Sequence, residues 1–201
     1  MSVNVDFYWD IGSTNTYFAF RMLPGVLART GATVTLHPFN LGYVFRQNEY
    51  VLMDEPVAKM RNRKRDLERW AEHLHLPFQV PRDFPIKTSR ALRSALVAKE
   101  QGVEAAFLDH LFRTYWEEGT NIAEYAQLEP IIARVAVDPA GFIERAESDE
   151  IKQKLIESTQ NALQRGVFGA PMMVVGDEMF WGKDRMDFLE REIRNRMDEL
   201  D

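Results

Sequence analysis

Three hydroxyl side chains, Ser13, Thr14 and Thr16, directly follow an apolar segment in the stretch FYWDIGSTNTY, residues 7–17. This order predicts the end of a strand, a tight loop and the start of a helix. A serine that begins a helix commonly caps it, since its hydroxyl accepts a hydrogen bond from a backbone N–H two or three residues on. The same position carries partial positive charge and spare N–H donors, which stabilise a nearby anion. Ser13 is therefore either a simple cap or a donor to a bound anion.

The chain supplies no sulfur nucleophile of its own, because it contains no cysteine. Disulfides, thiolate metal sites and thiol redox chemistry within the chain are thereby excluded. We expect no metal at the site. Ser13 is also a poor candidate for a nucleophile, because no motif places a histidine–aspartate pair beside it. Any sulfur chemistry at this position must come from a bound molecule.

Composition limits the class of protein. The 201 residues are 45% hydrophobic and 28% charged, as in an ordinary globular protein with one large domain or a domain carrying an insertion. The net charge of −6 argues against a nucleic-acid binder, which needs a positive surface. No apolar run is long enough to span a membrane. The N-terminus shows no signal-peptide pattern, so we expect a cytoplasmic protein.

The two ends of the chain carry the strand signals. Residues 3–9 and 32–39 predict two strands, joined by a helix over 14–30 that is interrupted or bent near Pro24. Such a connection places the two strands parallel. Near the other end, residues 171–182 predict a hairpin with Gly176-Asp177 as its turn, followed by a last amphipathic helix.

Between these ends, residues 57–165 have helical spacing almost throughout. The clearest boundaries are those of two late helices. Asp138-Pro139 predicts a cap and first helical residue for a helix ending near Glu147. A second helix is predicted from Asp149 to Gln164, ending at Gly166.

Three motifs resemble those of a known group, the 2-hydroxychromene-2-carboxylate isomerase family, which is related to the kappa-class glutathione transferases. They are DFYWDIGSTNTY, DLERWAEHLHLPF and RGVFGAPMMVVGDEMFWGKDRMDFLE, at 6–17, 66–78 and 165–190. The third motif is the most specific. The sequence departs from the family pattern at Thr14, where the family has proline.

The resemblance implies an α/β protein in which a thioredoxin fold is interrupted by an all-helical insertion, as in DsbA. The thioredoxin-like domain would comprise residues 1–56 and 148–201, and the helical insertion residues 57–147. In that fold a Cys-x-x-Cys pair commonly occupies the positions of residues 13–16. Here the resemblance implies that bound glutathione supplies the thiol, and that Ser13 donates its hydroxyl hydrogen to the thiolate and lowers the thiol pKa.

The resemblance also implies how the rest of the cofactor is held. The bond between Ala170 and Pro171 is expected to be cis, which would leave the N–H and C=O of Ala170 free to pair with the extended peptide. Asp184 is expected to hold the α-amino group of the γ-glutamyl residue. Lys183 is expected to receive its carboxylate, through either its side chain or its backbone N–H.

Two further residues are expected to contact glutathione. Lys59 begins the basic run KMRNRKR, and the family likeness implies that it reaches the glycyl end of the cofactor. Asn48 is a weaker candidate in the loop 46–56. Most of the basic run is otherwise typical of a solvated helix face. Four aromatic residues either wall a substrate pocket or belong to the core: Trp9, Tyr17, Trp116 and Trp181.

The function implied by the resemblance is glutathione-dependent cis–trans isomerisation of an aromatic carboxylate during aromatic degradation, by a protein that forms a homodimer in the family. The substrate would be 2-hydroxychromene-2-carboxylate and the product trans-o-hydroxybenzylidenepyruvate. An alternative function is that of a redox-inactive, thioredoxin-like protein that binds extended peptides. Binding of glutathione would distinguish the two.

Overall fold

A four-stranded mixed sheet organises the computed structural model, which describes residues 2–51 and 55–199. The strands are β1 (Asn4–Trp9), β2 (Thr33–Pro38), β3 (Met172–Val175) and β4 (Glu178–Trp181), in the spatial order β2-β1-β3-β4. Strand β1 is parallel to β2 and antiparallel to β3, and β3 and β4 form the predicted hairpin. The central position of β1 brings the two ends of the chain side by side.

Helices make up most of the remainder. They are α1 (Thr14–Thr30), α2 (Leu41–Gln47), α3 (Val57–Leu74), α4 (Ser89–Glu100), α5 (Glu104–Phe112), α6 (Tyr125–Ile132), α7 (Pro139–Glu147), α8 (Asp149–Gln164) and α9 (Met186–Asp198). A π-helical segment, Arg113–Glu117, continues α5, and a 3₁₀ turn, Lys183–Arg185, leads into α9. Among the described residues, no helix is long and apolar enough to cross a membrane.

Helix α1 begins and ends where the sequence predicts. Ser13 caps its start, and Gly31 ends it in the left-handed conformation with φ of 72°. That conformation is accessible to glycine because it has no Cβ. The helix continues through Pro24, so of the two predicted alternatives the interruption is wrong, and the bend stays a prediction. The first turn of α1 therefore sits directly after the end of the central strand.

Helix α2 is absent from the sequence prediction, which assigns no helix after β2 and treats residues 46–56 as a loop. Asn40 caps this helix, since its Oδ1 accepts a hydrogen bond from the backbone N–H of Tyr43 at 2.8 Å. The helix has only seven residues and two buried side chains, Leu41 and Val44, so its apolar periodicity is too short to detect. Part of the loop 46–56, residues 52–54, lies outside the described residues.

The predicted boundaries of the two late helices are confirmed. Helix α7 starts at Pro139 with Asp138 as its cap, and α8 runs from Asp149 to Gln164. The helical residues 57–147 thus separate β2 from the final hairpin, as expected. The division of the chain into domains at residues 57 and 148 stays a prediction.

The core joins the sheet to the inserted helices through aromatic side chains. Phe7 and Trp9 of β1 point to the larger cluster, which also contains buried residues of α1, α4, α5 and α9. Tyr8 points to the opposite face, against α2 and α8, as the alternation of a strand requires. Phe112 of α5 lies against Trp9 and stacks on Phe20 of α1, with ring centroids 5.8 and 4.4 Å apart.

Replacing Phe112 with alanine should lower the free energy of unfolding by about 3–5 kcal/mol, because it leaves a cavity between β1, α1 and α5. Denaturant unfolding of the two proteins measures the difference. Val137→Ala is the control, since Val137 is fully exposed and its loss should change stability by less than about 0.5 kcal/mol. Equal effects at the two positions would contradict this account of the core.

Candidate active site

The Ser13 hydroxyl makes two hydrogen bonds that join distant parts of the chain. The backbone N–H of Thr16 donates to Ser13 Oγ at 3.3 Å, which is the capping bond. Ser13 Oγ in turn donates to the carbonyl oxygen of Ala170 at 2.8 Å, although the two residues are 157 positions apart. The side chain is buried. Ser13 is thus a cap, as one interpretation predicts, and its hydrogen is donated to a backbone carbonyl; donation to a bound anion stays a prediction.

The loop before β3 supplies the other side of this contact. The peptide bond between Ala170 and Pro171 is cis, as expected. Antiparallel pairing of β3 with β1 places this loop beside the end of β1, and the backbone N–H of Gly182 donates to Pro171 O at 3.1 Å. Ser13 already donates to the Ala170 carbonyl oxygen, which has a second lone pair, so the pairing of Ala170 with an extended peptide stays a prediction.

Asp10, which sequence reasoning missed, fixes the loop that carries Ser13. Its Oδ1 accepts from the backbone N–H of Gly12 at 2.9 Å. Its Oδ2 accepts from the backbone N–H of Leu41 at 2.9 Å and from Thr88 Oγ1 at 3.1 Å. The carbonyl of Asp10 accepts from the Ser13 N–H at 3.1 Å. A single buried carboxylate therefore connects the Ser13 loop to α2 and to the start of α4.

Burial raises the pKa of Asp10 to about 6, and its hydrogen bonds to Gly12, Leu41 and Thr88 oppose that rise. The signal in the sequence was an acidic residue between an apolar strand and Ser13, which is unusual for a core position.

The same loop is also held by the buried Trp116, whose Nε1–H donates to Ile11 O at 2.9 Å.

Lys183 lies beside the first turn of α1, with a buried side chain. Its Nζ donates to Asn15 Oδ1 at 3.0 Å, and it is 3.5 Å from Asp66 Oδ2. The ammonium also lies over the ring of Trp70, 5.0 Å from the ring centroid. Sequence analysis selected Lys183 but missed the roles of Asn15, Asp66 and Trp70. The spacing of Asp66 and Trp70, four residues apart on α3, already indicated a shared face.

The other expected cofactor residues are exposed at the surface. Asp184 is exposed and forms an ion pair with Arg185 at 2.8 Å. Lys59 is exposed and pairs with Glu55 at 3.1 Å. Asn48 ends helix α2 and is exposed. Within residues 2–51 and 55–199, neither Lys59 nor Asn48 forms a hydrogen bond to Ser13, Ala170 or Lys183, so the structure does not bring these two into the central cluster.

Lys59 nonetheless lies on the same face of α3 as Asp66. Seven residues are two helical turns, which separates the two positions by about 10 Å along the helix axis. The face of α3 that contacts Lys183 therefore extends toward Lys59.

Most of the aromatic candidates belong to the core. Trp9, Tyr17 and Trp116 are fully buried, whereas Trp181 is about half exposed. The ring of Trp181 packs edge-on against Phe168, with centroids 5.2 Å apart. Gly169 allows this approach, since a Cβ there would lie 2.6 Å from Trp181 Nε1. Trp181 and Phe168 form an exposed aromatic pair next to the Ala170 loop.

The arrangement favours a ligand that carries an anionic group next to a peptide backbone. The Ser13 hydroxyl, the start of α1 and the Lys183 ammonium all present positive potential or donors. A carbonyl acceptor, that of Ala170, lies within the same cluster. His37 pairs with Asp6 across β1 and β2.

Comparison with protein families identifies the class of protein to which this fold and site belong. A family model described as a DSBA-like thioredoxin domain matches residues 4–194. A 2-hydroxychromene-2-carboxylate isomerase from Sphingobium xenophagum is 32% identical over 94% of this chain and 97% of the relative. Glutathione S-transferase kappa 2 from Caenorhabditis elegans is 25% identical over 97% of this chain and 95% of the relative.

Comparison with solved structures points to the same family. A structure of 2-hydroxychromene-2-carboxylate isomerase superposes with a TM-score of 0.87 at 26% identity, covering 98% of this chain and 97% of that one. The chain belongs to the DSBA-like thioredoxin family and, within it, to the family of 2-hydroxychromene-2-carboxylate isomerases. It is therefore an enzyme, and the predicted fold class, a thioredoxin fold with a helical insertion as in DsbA, is confirmed.

The pKa of Asp10 predicts a pH-dependent contribution to stability. Because the folded state raises this pKa from 3.8 to about 6, the stabilising effect of the proton is fully present below pH 3.8 and lost as the pH rises to about 6. The unfolding free energy of the wild type minus that of Asp10→Asn should fall by about 3 kcal/mol over this range. Denaturant unfolding at several pH values measures it.

Asp138→Asn is the matched control, because asparagine caps a helix as well as aspartate does and Asp138 is exposed. The corresponding difference for this variant shows the effect of removing an exposed cap carboxyl, and the change for Asp10→Asn is compared with it. A difference for Asp10→Asn that stays constant from pH 4 to 7 would show that the buried carboxyl does not titrate as described.

Proposed function

We propose that this enzyme catalyses glutathione-dependent cis–trans isomerisation of an aromatic carboxylate, with 2-hydroxychromene-2-carboxylate as the substrate and trans-o-hydroxybenzylidenepyruvate as the product. The observation that carries the proposal is the 2.8 Å contact between Ser13 Oγ and Ala170 O at the start of α1. This contact places a hydroxyl donor, helix N–H groups and a peptide-pairing carbonyl within one small volume. A cysteinyl residue needs this combination, because it has both a peptide backbone and an ionisable thiol.

The residues around this contact fit the remainder of glutathione. Asp184 is an exposed carboxylate suited to the α-amino group of the γ-glutamyl residue. The γ-glutamyl carboxylate would be received by the backbone N–H groups at Lys183, since the first N–H groups of a helix lack partners within the helix. The Lys183 side chain itself is directed toward α1 and α3. Lys59 and Asn48 would contact the glycyl end.

In this proposal Ser13 favours the ionised thiol, Ala170 orients the cysteinyl residue and Asp184 anchors the amino end. When bound, glutathione supplies a thiol that adds to a conjugated double bond and so permits rotation about it. The Trp181 and Phe168 pair offers an apolar surface near the Ala170 loop for the aromatic ring of the substrate. The alternative of a redox-inactive peptide-binding protein gains no support from the comparisons.

The Ser13 hydroxyl must change partner in order to act. A hydroxyl has one hydrogen, and here that hydrogen is donated to Ala170 O. An N–H from a bound peptide can replace it on the carbonyl, and the Ser13 hydrogen is then available to a thiolate. Binding of a peptide N–H to the Ala170 carbonyl and activation of the thiol by Ser13 are in this way linked.

Ser13→Ala should retain glutathione binding within a few-fold but should raise the pKa of the bound thiol and lower turnover about 10- to 100-fold at pH 7, because one donor to the anion is lost. Calorimetry measures binding, and steady-state kinetics with the chromene carboxylate measure turnover. Unchanged turnover across pH would remove Ser13 from the mechanism.

Ser148→Ala provides the matched control. Ser148 caps α8 with the same kind of bond, an N–H from Ile151 donated to Ser148 Oγ at 3.3 Å. Each substitution should cost about 1 kcal/mol of stability for the lost cap, and Ser13→Ala about 1 kcal/mol more for the lost hydrogen bond to Ala170 O. Only the substitution at Ser13 should affect turnover, which separates the chemistry from the capping.

Asp184→Asn should weaken glutathione binding about tenfold, because the ammonium group loses a charge-assisted hydrogen bond. Asp187→Asn tests an exposed acid three residues further along the chain, and its effect should be less than twofold. Titration calorimetry at one ionic strength compares the two variants. If they bind glutathione equally, Asp184 does not anchor the amino group.

The proposal includes a cytoplasmic location, where reduced glutathione is abundant, and a homodimer by likeness to the family. Sedimentation of the purified protein measures the oligomeric state.

A further inference from the structure

Lys183 is the one buried cation in the described part of the candidate site, since its side chain is only 9% exposed. Lysine is almost never this buried unless it is paired. Burial lowers the pKa of Lys183, and the charges of Asp66 and Asp184 oppose that effect. The structure therefore retains a cation at a position where removing water from it carries a cost.

Three groups from two helices hold this ammonium. Asn15 on α1 accepts a hydrogen bond from it, and Asp66 and Trp70 on α3 supply a carboxylate and an aromatic face. Cation–π contacts of this kind become stronger as the cation is desolvated. Asn15 is the second residue after Ser13, so the ammonium is bound to the same helical turn that Ser13 caps.

The charge of Lys183 is only partly neutralised by its neighbours. Asp66 is nearly half exposed and 3.5 Å away, so water screens this ion pair. Asp184 is the other charged group facing Lys183, and it is exposed and already paired with Arg185. Asn15 and Trp70 fix the ammonium without neutralising it. The ammonium is thus held by two uncharged groups, while water screens the two carboxylates near it.

We propose that Lys183 acts through its charge to favour the ionised form of the thiol held at Ser13, and that Asp66 moderates this effect. The inference rests on the proposed function and deepens it, because it assigns to the side chain of Lys183 a role separate from cofactor binding by its backbone. Asn15 and Trp70 are the residues that keep the cation in place.

The test is the ionisation of glutathione bound to the enzyme, followed by the ultraviolet absorbance of the thiolate as the pH is changed. Lys183→Met should raise the pKa of the bound thiol by about one pH unit, a tenfold change in the thiolate fraction below that pKa. Lys183→Arg keeps the charge at all these pH values and should restore most of the effect. Calorimetry confirms that each variant binds glutathione.

Asp66→Asn should shift the same thiol pKa in the opposite direction, below that of the wild type, because it removes the negative charge that moderates Lys183. Glu68→Gln is its control, since Glu68 on the same helix pairs with Arg65 instead. Because Asp66→Asn lowers the thiol pKa through the lost charge of Asp66 itself, a purely structural role for Lys183 is excluded by the rise in Lys183→Met and its rescue by arginine. Lys183→Gln, which also lacks the charge but keeps a donor for Asn15, replaces Lys183→Met if that variant fails to fold.

The outcomes separate the inference from the proposed function. If the wild type binds glutathione but Lys183→Met and Asp66→Asn leave the thiol pKa unchanged, the role of Lys183 is wrong and the proposed function stands. If the wild type binds no glutathione, both the role of Lys183 and the proposed function are wrong. Opposite shifts in the two variants, with rescue by arginine, would establish the electrostatic role.

Discussion

The hydrogen bond from the Ser13 hydroxyl to the Ala170 carbonyl is the contact on which the site depends. Alone it is worth only about 1 kcal/mol, as a typical hydrogen bond is. Its importance is positional, because it joins the first turn of α1 to the loop before β3 across 157 residues of sequence. The sheet makes the contact feasible, since β1 pairs with β2 on one side and with β3 on the other. Any change in that pairing would separate the hydroxyl from the carbonyl.

Buried hydrogen bonds hold the loop that carries Ser13 in one position. Asp10 receives three hydrogen bonds from three segments, and Trp116 holds the same loop from the side of the inserted helices. A buried carboxylate is expensive to desolvate, as the raised pKa of Asp10 indicates, and the three donors offset part of that cost. The inserted helices therefore help to fix the position of Ser13, although none of them carries it.

The charges around Ser13 support the proposal that this protein, which has no cysteine, favours the thiolate of bound glutathione. A helix start offers only partial charges, and their effect is lost within about one turn. The Lys183 ammonium, directed at that turn by Asn15 and Trp70, adds a whole charge in partly buried surroundings. These three residues come from the two ends of the chain and from the helical segment between them. The electrostatic environment of the site is consequently a property of the assembled fold.

The sequence by itself determined the order of elements and the identity of the central residues. Hydrophobic periodicity located β1, α1 and the final hairpin, and capping residues such as Asp138 located helix boundaries, because these signals act over a few neighbouring residues. The motifs also selected Ser13, Ala170 and Lys183. The short helix α2 was not predicted, because its two buried residues are too few to show a helical periodicity.

The tertiary structure alone decided which of these residues touch. It directed the Lys183 side chain to Asn15, Asp66 and Trp70, placed Asp10 under the Ser13 loop, and left Lys59 outside the central cluster. It also assigned Trp9 and Trp116 to the core and Trp181 to the surface. Contacts between residues far apart in sequence depend on strand pairing and on packing between helices. Local patterns predicted the β1–β2 and β3–β4 pairings but neither the pairing of β1 with β3 nor the packing between helices, so the contacts of the site became visible only when the chain was folded.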